Sequence, residues 1–310
     1  MPWPTLDTNR WLATAPTVHM MLQIVGKVRL ALTPWLNHSW HATLYVNARG
    51  VTTGPMPGGG LTHEAQFDFI DHVLRWSRSD GKGGTVPLTC SSIAGFYGDV
   101  EALLDDMGIS AKPHGAPNEV ADPVPFAQQT TPAHYDGEAV NEFWQALSHI
   151  HHVFTRFRAG YLGKSSPVHL FWGSFDLAVT RFSGRKAPDH PGGVPALPDP
   201  ITRDAYSHEV ASAGFWGGGG GVDEAAFYAY AYPALGRYGD TKLSVPGAYW
   251  HADLGEFVLP YAAVQTAPSP QDTLLTFLQE TYEAAARLGD WPTDGLLYHK
   301  PPGLPVYPGA

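Results

Sequence analysis

Between Thr17 and Leu32 the chain places Val18, Met21, Leu22, Val25, Val28 and Leu32 at three- and four-residue intervals, which predicts a helix with a broad apolar face. Pro16 suits its first turn and Pro34 stops it. His19, Gln23 and Lys27 recur at every fourth position of that helix as a polar stripe. The same period predicts helices over Ser92–Met107, Gly137–Tyr161 and Pro270–Leu288. Elsewhere the pattern alternates, as it does in strands. Such stretches are His41–Asn47, Glu64–Ile70, Val73–Trp76, a short run before Cys90, Ile109–Lys112, the segments opened by His169 and Asp176, His208–Phe215, Ala226–Tyr232 and Glu256–Leu259.

Helix, several strands, helix is the order in both halves. The expectation is an α+β protein with antiparallel sheets flanked by helices, built as two similar halves packed together. The halves are residues 1–130 and 131–290, with 291–310 an irregular tail. The halves share no sequence identity, so one continuous domain is the alternative. Two Pro/Gly-rich stretches interrupt the pattern. Residues 116–132 read as loop, and Lys186–Pro200 is long enough for a functional lid.

Composition narrows the function classes. Charged residues are 15% of the chain, below the roughly 25% of an average soluble domain, which argues for much buried area. The net charge of −10 disfavours nucleic acid, whose phosphates need a basic footprint. Cys90 is the sole cysteine, so neither an internal disulfide nor a thiolate-rich zinc site can form. No basic leader with an apolar run opens the chain, and no stretch of about 20 apolar residues occurs. A cytoplasmic protein with no membrane span is the expectation.

Polar side chains inside strand-like apolar runs mark the candidate site, because burying them costs several kcal/mol unless they are paired or used. Ser166–Arg185 carries His169, Asp176, Arg181 and Arg185; Tyr206–Trp216 carries His208 and Glu209; Asn37–Arg49 carries His38, His41 and Asn47. His41, His169 and His208, one from each of three strands, could ligate a divalent transition metal. His169 and His208 are also candidate acid–base groups, with Asp176 or Glu209 to orient a histidine or take a proton. Asp176 and Thr180 alternate with Leu177 and Val179, and Tyr228, Tyr230 and Tyr232 share one face, as an aromatic ligand wall would. Arg181 and Arg185, with Lys27 added from the first helix, could hold an anionic group. Each candidate has a structural counterpart: a satisfied core histidine, an ordinary ion pair, a packed tyrosine. Gly217–Gly221 lacks the context of a phosphate loop and reads as a hairpin connection.

The segments QIVGKVRLAL (Gln23–Leu32), NHSWHATLYVNARG (Asn37–Gly50), PNEVADPVPF (Pro117–Phe126), SPVHLFWGSFDLAVTRFSGR (Ser166–Arg185) and AYSHEVASAGFW (Ala205–Trp216) resemble a bacterial family known only as a domain of unknown function. The resemblance extends over most of the chain. It implies a soluble bacterial protein and brings no activity, cofactor or catalytic residue. The functional expectation is therefore a small-molecule enzyme, with a divalent transition metal as the candidate cofactor. It would act on an anionic or aromatic substrate at a His/Asp/Arg site between the sheets. The alternative is a non-catalytic binding module for a small organic acid or aromatic ligand; a third reading is a structural protein with satisfied core histidines.

Overall fold

A computed structural model describes residues 3–111, 113–219 and 222–298. Among these, six α-helices accompany two antiparallel sheets of six strands each. Helix α1 (Thr8–Leu32) leads into a first sheet made of β1 (Tyr45–Asn47), β2 (Gly50–Thr52), β3 (Met56–Gly58), β4 (Leu61–Asp68), β5 (Val73–Arg78) and β6 (Gly83–Pro87). Helices α2 (Ile93–Asp106) and α3 (Gly137–Ala159) follow. The second sheet holds β7 (His169–Phe171), β8 (Asp176–Lys186), β9 (His208–Trp216), β10 (Ala226–Tyr232), β11 (Tyr249–His251) and β12 (Glu256–Pro260), in the order β11-β12-β10-β9-β8-β7. The short helix α4 (Asp199–Ala205) lies between β8 and β9, and α5 (Tyr261–Gln265) and α6 (Pro270–Leu288) end the described fold.

The α+β expectation with antiparallel sheets and flanking helices is met. Several boundaries differ for local reasons. Helix α1 begins a further two turns upstream, where the Asp7 carboxylate caps the free N–H groups of Asn9 and Arg10, so Pro16 lies inside the helix. Residues 40–42 form a turn and not the start of a strand, because Asn37–Ser39 is a 3-10 turn whose His38 and Ser39 take left-handed backbone angles. No strand forms at Ile109–Ala111, while Lys112, Gly220, Gly221 and the tail from His299 lie outside the described residues.

Alternation gives the second sheet two different faces. Leu177, Val179 and Arg181 on β8, Ala213 and Phe215 on β9, and Phe227 on β10 face the side covered by α3 and α6. Asp176, Ala178, Thr180 and Phe182 face the other way, with Ser212, Trp216, Tyr228, Tyr230 and Glu256. Leu44 and Leu170 exchange backbone hydrogen bonds at 2.9 and 2.8 Å, tying the segment before β1 to β7. No helix is long and apolar enough to cross a membrane among the described residues.

Candidate active site: a carboxyl-lined pocket on the second sheet

The outward face of the second sheet is the floor of a cavity of about 360 Å³. Its roof comes from Val194 and Leu197 of the Pro/Gly-rich segment and from Ile201, Thr202 and Ala205 of α4. Trp35–Ala42 and Asn118-Glu119 close the sides. No residue of β1–β6 reaches it, so the site lies over one sheet and not between two.

Three carboxyl groups enter this space. Asp176, at the start of β8, accepts hydrogen bonds from the Ser174 and Tyr228 hydroxyls. Burial still holds its carboxyl above the usual carboxylate range, against those two bonds. Burial, and then the charge of Asp176, raise Glu119 and Glu256 to about 7. The floor also holds two hydroxyl pairs: Thr180 with Ser212 at 2.8 Å and Tyr206 with Tyr230 at 2.9 Å.

His169 is 1% exposed and lines the same pocket. Its Nδ1–H donates to the Ala178 carbonyl at 3.1 Å, which leaves Nε2 as a bare acceptor. Burial lowers its pKa to about 4, so the ring is neutral at physiological pH. Nε2 has no partner, and neither do Glu256 Oε2, Thr202 Oγ1 and Ser39 Oγ. All four residues belong to the pocket wall. Buried polar atoms are nearly always satisfied, so four orphans around one cavity mark a place built for something else to bind.

The polar stripe of α1 explains how the walls are held. The His19 Nε2–H donates to the Trp172 and Gly173 carbonyls at 2.9 Å. Gln23 exchanges two 2.8 Å bonds with the backbone of Asn118. Lys27 donates to the Asn118 side chain and lies 5.3 Å from the Trp172 ring centroid. Asn118 Nδ2 in turn donates to the Ala196 carbonyl in the roof at 2.6 Å. Thus α1 fixes the segment that carries Glu119, which itself sits at φ +57°. His38, Ser39, Phe175 and Ala196 share that uncommon left-handed backbone, and strain of this kind gathers around functional sites. Gly173 leaves room for Glu119: a β-carbon there would come within 1.9 Å of Glu119 Oε1.

The remaining candidates fall into place around this pocket. Asp176, His169, Tyr228 and Tyr230 converge on it. Lys27 stands behind Asn118 and Trp172 as a support, and burial lowers its pKa to about 8. Arg181 is on the opposite face of the sheet, where its guanidinium packs on Phe157, Tyr161 and Tyr282 and donates to the Phe157 carbonyl. Arg185 pairs with Glu209 at 2.8 Å and donates to the Gly289 and Asp290 carbonyls, a structural bridge away from the pocket. Ser183 also donates to Glu209.

The three-histidine metal set is not assembled. His41 accepts the Leu36 N–H in its turn at 3.2 Å, and His208 lies near His38, with ring centroids 6.1 Å apart. Among the described residues no three His, Cys, Asp or Glu side chains are grouped so as to hold a metal ion. Glu119 and Glu256 were the residues that pattern reading passed over. Glu256 opens a strand and alternates with buried Phe257, which places it on the tyrosine face; Glu119 lies in an irregular loop with no such signal.

The model of a family of unknown function, DUF5996, matches residues 3–297, and the chain belongs to that family. No curated protein and no solved structure matches the chain.

Proposed function

We propose that this DUF5996 protein is a small-molecule enzyme that performs acid–base chemistry in the pocket on its second sheet. The observation that carries the reading is the placement of Glu119, Asp176 and Glu256 around one cavity beside the unpartnered Nε2 of His169. Two carboxyl groups raised to about 7 can each hold or release a proton at neutral pH, which is the condition for an efficient general acid or base. Asp176 is oriented by Ser174 and Tyr228, and when ionised it raises the two glutamates further. His169 Nε2 accepts a hydrogen bond from the bound molecule. The roof segment excludes water once the molecule is in place.

A thermal-shift screen of a metabolite library, with each hit then incubated and followed by NMR, tests this. Some hits should be converted by the wild type, while Asp176→Asn binds them and converts them far more slowly. Hits that bind but stay chemically unchanged would make the pocket a binding module and overturn the enzyme.

A further inference from the structure

The wall of the pocket is unbalanced in charge. It presents Glu119, Asp176 and Glu256 and, among the described residues, neither lysine nor arginine. Lys27 is directed to Asn118, and Lys164 lies 2.6 Å from His38 Nε2, so both nearby ammonium groups are already engaged by wall side chains. Of the four unpartnered atoms, the Ser39 and Thr202 hydroxyls can donate or accept, while His169 Nε2 can only accept, and so can Glu256 Oε2 once its carboxyl ionises. What the pocket wall lacks is a fixed positive charge. Much of the rest of the wall is aromatic, with Trp35, Trp40, Trp172, Trp216 and Tyr228 offering ring surface beside aliphatic side chains.

We infer that the pocket takes a small organic cation: a protonated amine on an apolar body, its ammonium group directed to Glu119, Asp176, Glu256 and His169 Nε2. The inference rests on the pocket being a ligand site, as argued above. An ammonium carries three donors and no acceptor, which matches the carboxyl oxygens and His169 Nε2 and can be accepted by the Ser39 and Thr202 hydroxyls. Its charge lets the carboxyl groups ionise in a buried site that otherwise favours their neutral form. The indole and phenol faces stabilise a cation through their ring electrostatics and accept the apolar body by burial. An anionic molecule would meet three carboxyl groups with no lysine or arginine in the wall to answer it. A neutral polyol could satisfy the acceptors but would leave the charge uncompensated.

The probes are two matched series that differ only in the terminal group. One is tryptamine, tryptophol and indole-3-propionate; the other is phenethylamine, phenethyl alcohol and 3-phenylpropionate. Each is added to the full chain at up to about 10 mM and followed by thermal shift and ligand-observed NMR. The amines should raise Tm by about 2 °C or more and bind about tenfold more tightly than the alcohols, with the carboxylates weakest. Glu256→Gln, which keeps the side-chain shape, should weaken the amines by about tenfold and leave the alcohols unchanged. Preference for the alcohols or carboxylates would overturn the cation and leave the pocket a ligand site. Amine binding indifferent to Glu256→Gln and Glu119→Gln would overturn it equally. Binding by none of the three classes would remove both the cation and the pocket as a ligand site.

Discussion

Tyr228 reaches the carboxyl group of Asp176 by passing over a glycine. Tyr228 on β10 is registered opposite Gly214 on β9, and Gly214 is registered opposite Ala178 on β8. With no side chain at 214, the phenol lies across the middle strand and donates to Asp176 two residues along β8. A β-carbon at 214 would fall 2.2 Å from Tyr228 Oη and 2.3 Å from Cζ. Gly214→Ala is therefore expected to displace the ring, and Tyr228→Phe to remove only the hydrogen bond. Tyr228→Phe should cost ~1–3 kcal/mol in urea unfolding, the penalty for leaving a buried acceptor short of a partner. Gly214→Ala should cost at least as much and abolish ligand binding. A Gly214→Ala protein as stable as wild type would mean that the phenol does not need the space.

Glu256 makes stability depend on pH in a direction opposite to that of most surface acids. Its carboxyl is raised from 4.5 to about 7, chiefly by burial. The folded state therefore binds more protons than the unfolded state between those values, and stability falls as pH rises through that window. Glu256→Gln removes the group that must stay protonated. The variant should match wild type at about pH 5 and exceed it by ~2 kcal/mol at about pH 8. Denaturant curves of both proteins at the two pH values measure the difference. A difference that does not grow with pH would mean that Glu256 is not held protonated by the fold.

The second sheet shows how far pattern reading carries, and where it stops. Alternation put Asp176 with Thr180 and joined Tyr228 with Tyr230, and those residues do share a pocket. The same rule, counted on to 181, places Arg181 with Leu177 and Val179 on the helix side, where it lies among aromatic rings and not at the site. HATLYVN alternates, and alternation alone assigns His41 to a strand. Two left-handed residues just before it turn the chain, and a backbone conformation of that kind leaves no trace in hydrophobic period. Glu119 depends on Gln23, Lys27 and Gly173 to hold its loop. The stripe His19, Gln23, Lys27 was visible, but what it would touch, nearly a hundred residues away, was not.

His169 tests the burial of the pocket wall with the opposite pH sign. Its ring is lowered from 6.5 to about 4 by burial, so it stays neutral in the fold. As pH falls below 6.5 the unfolded chain takes up a proton that the folded chain refuses, and stability drops toward about pH 4. His169→Ala removes this titration, but it opens a cavity and takes a donor from the Ala178 carbonyl. At about pH 7.5 the variant should be ~2–4 kcal/mol less stable than wild type. At about pH 5 the gap should narrow by ~1–2 kcal/mol, because only the wild type bears the cost of the neutral ring. A gap that widens on acidification would place His169 as a protonated, paired group.

Asn118 joins the roof of the pocket to the helix beneath its wall, which makes the roof open to a simple test. Residues 187–198 have no helix or strand of their own, and they bring Val194 and Leu197 to the cavity. Asn118 Nδ2 donates to the Ala196 carbonyl at 2.6 Å, Gly193 N–H donates to Asp199 Oδ1 at 2.9 Å, and Tyr232 Oη donates to the Pro188 carbonyl at 2.9 Å. The Ala187 N–H donates to the Ser207 carbonyl at 3.1 Å and Arg203 Nε to the His190 carbonyl at 3.3 Å. A segment held by scattered bonds and no ladder opens locally while the sheet below stays folded. Thermolysin, which cleaves before apolar residues such as Val194 and Leu197, should cut here first and spare β8 and β9. Asn118→Ala should raise that cleavage rate about fivefold, the effect of one lost hydrogen bond of ~1 kcal/mol on an opening equilibrium. A molecule bound in the pocket should slow cleavage in both proteins. Equal rates for the variant and wild type would show that Asn118 does not hold the roof closed, and first cleavage elsewhere would show that 187–198 is not the part that moves.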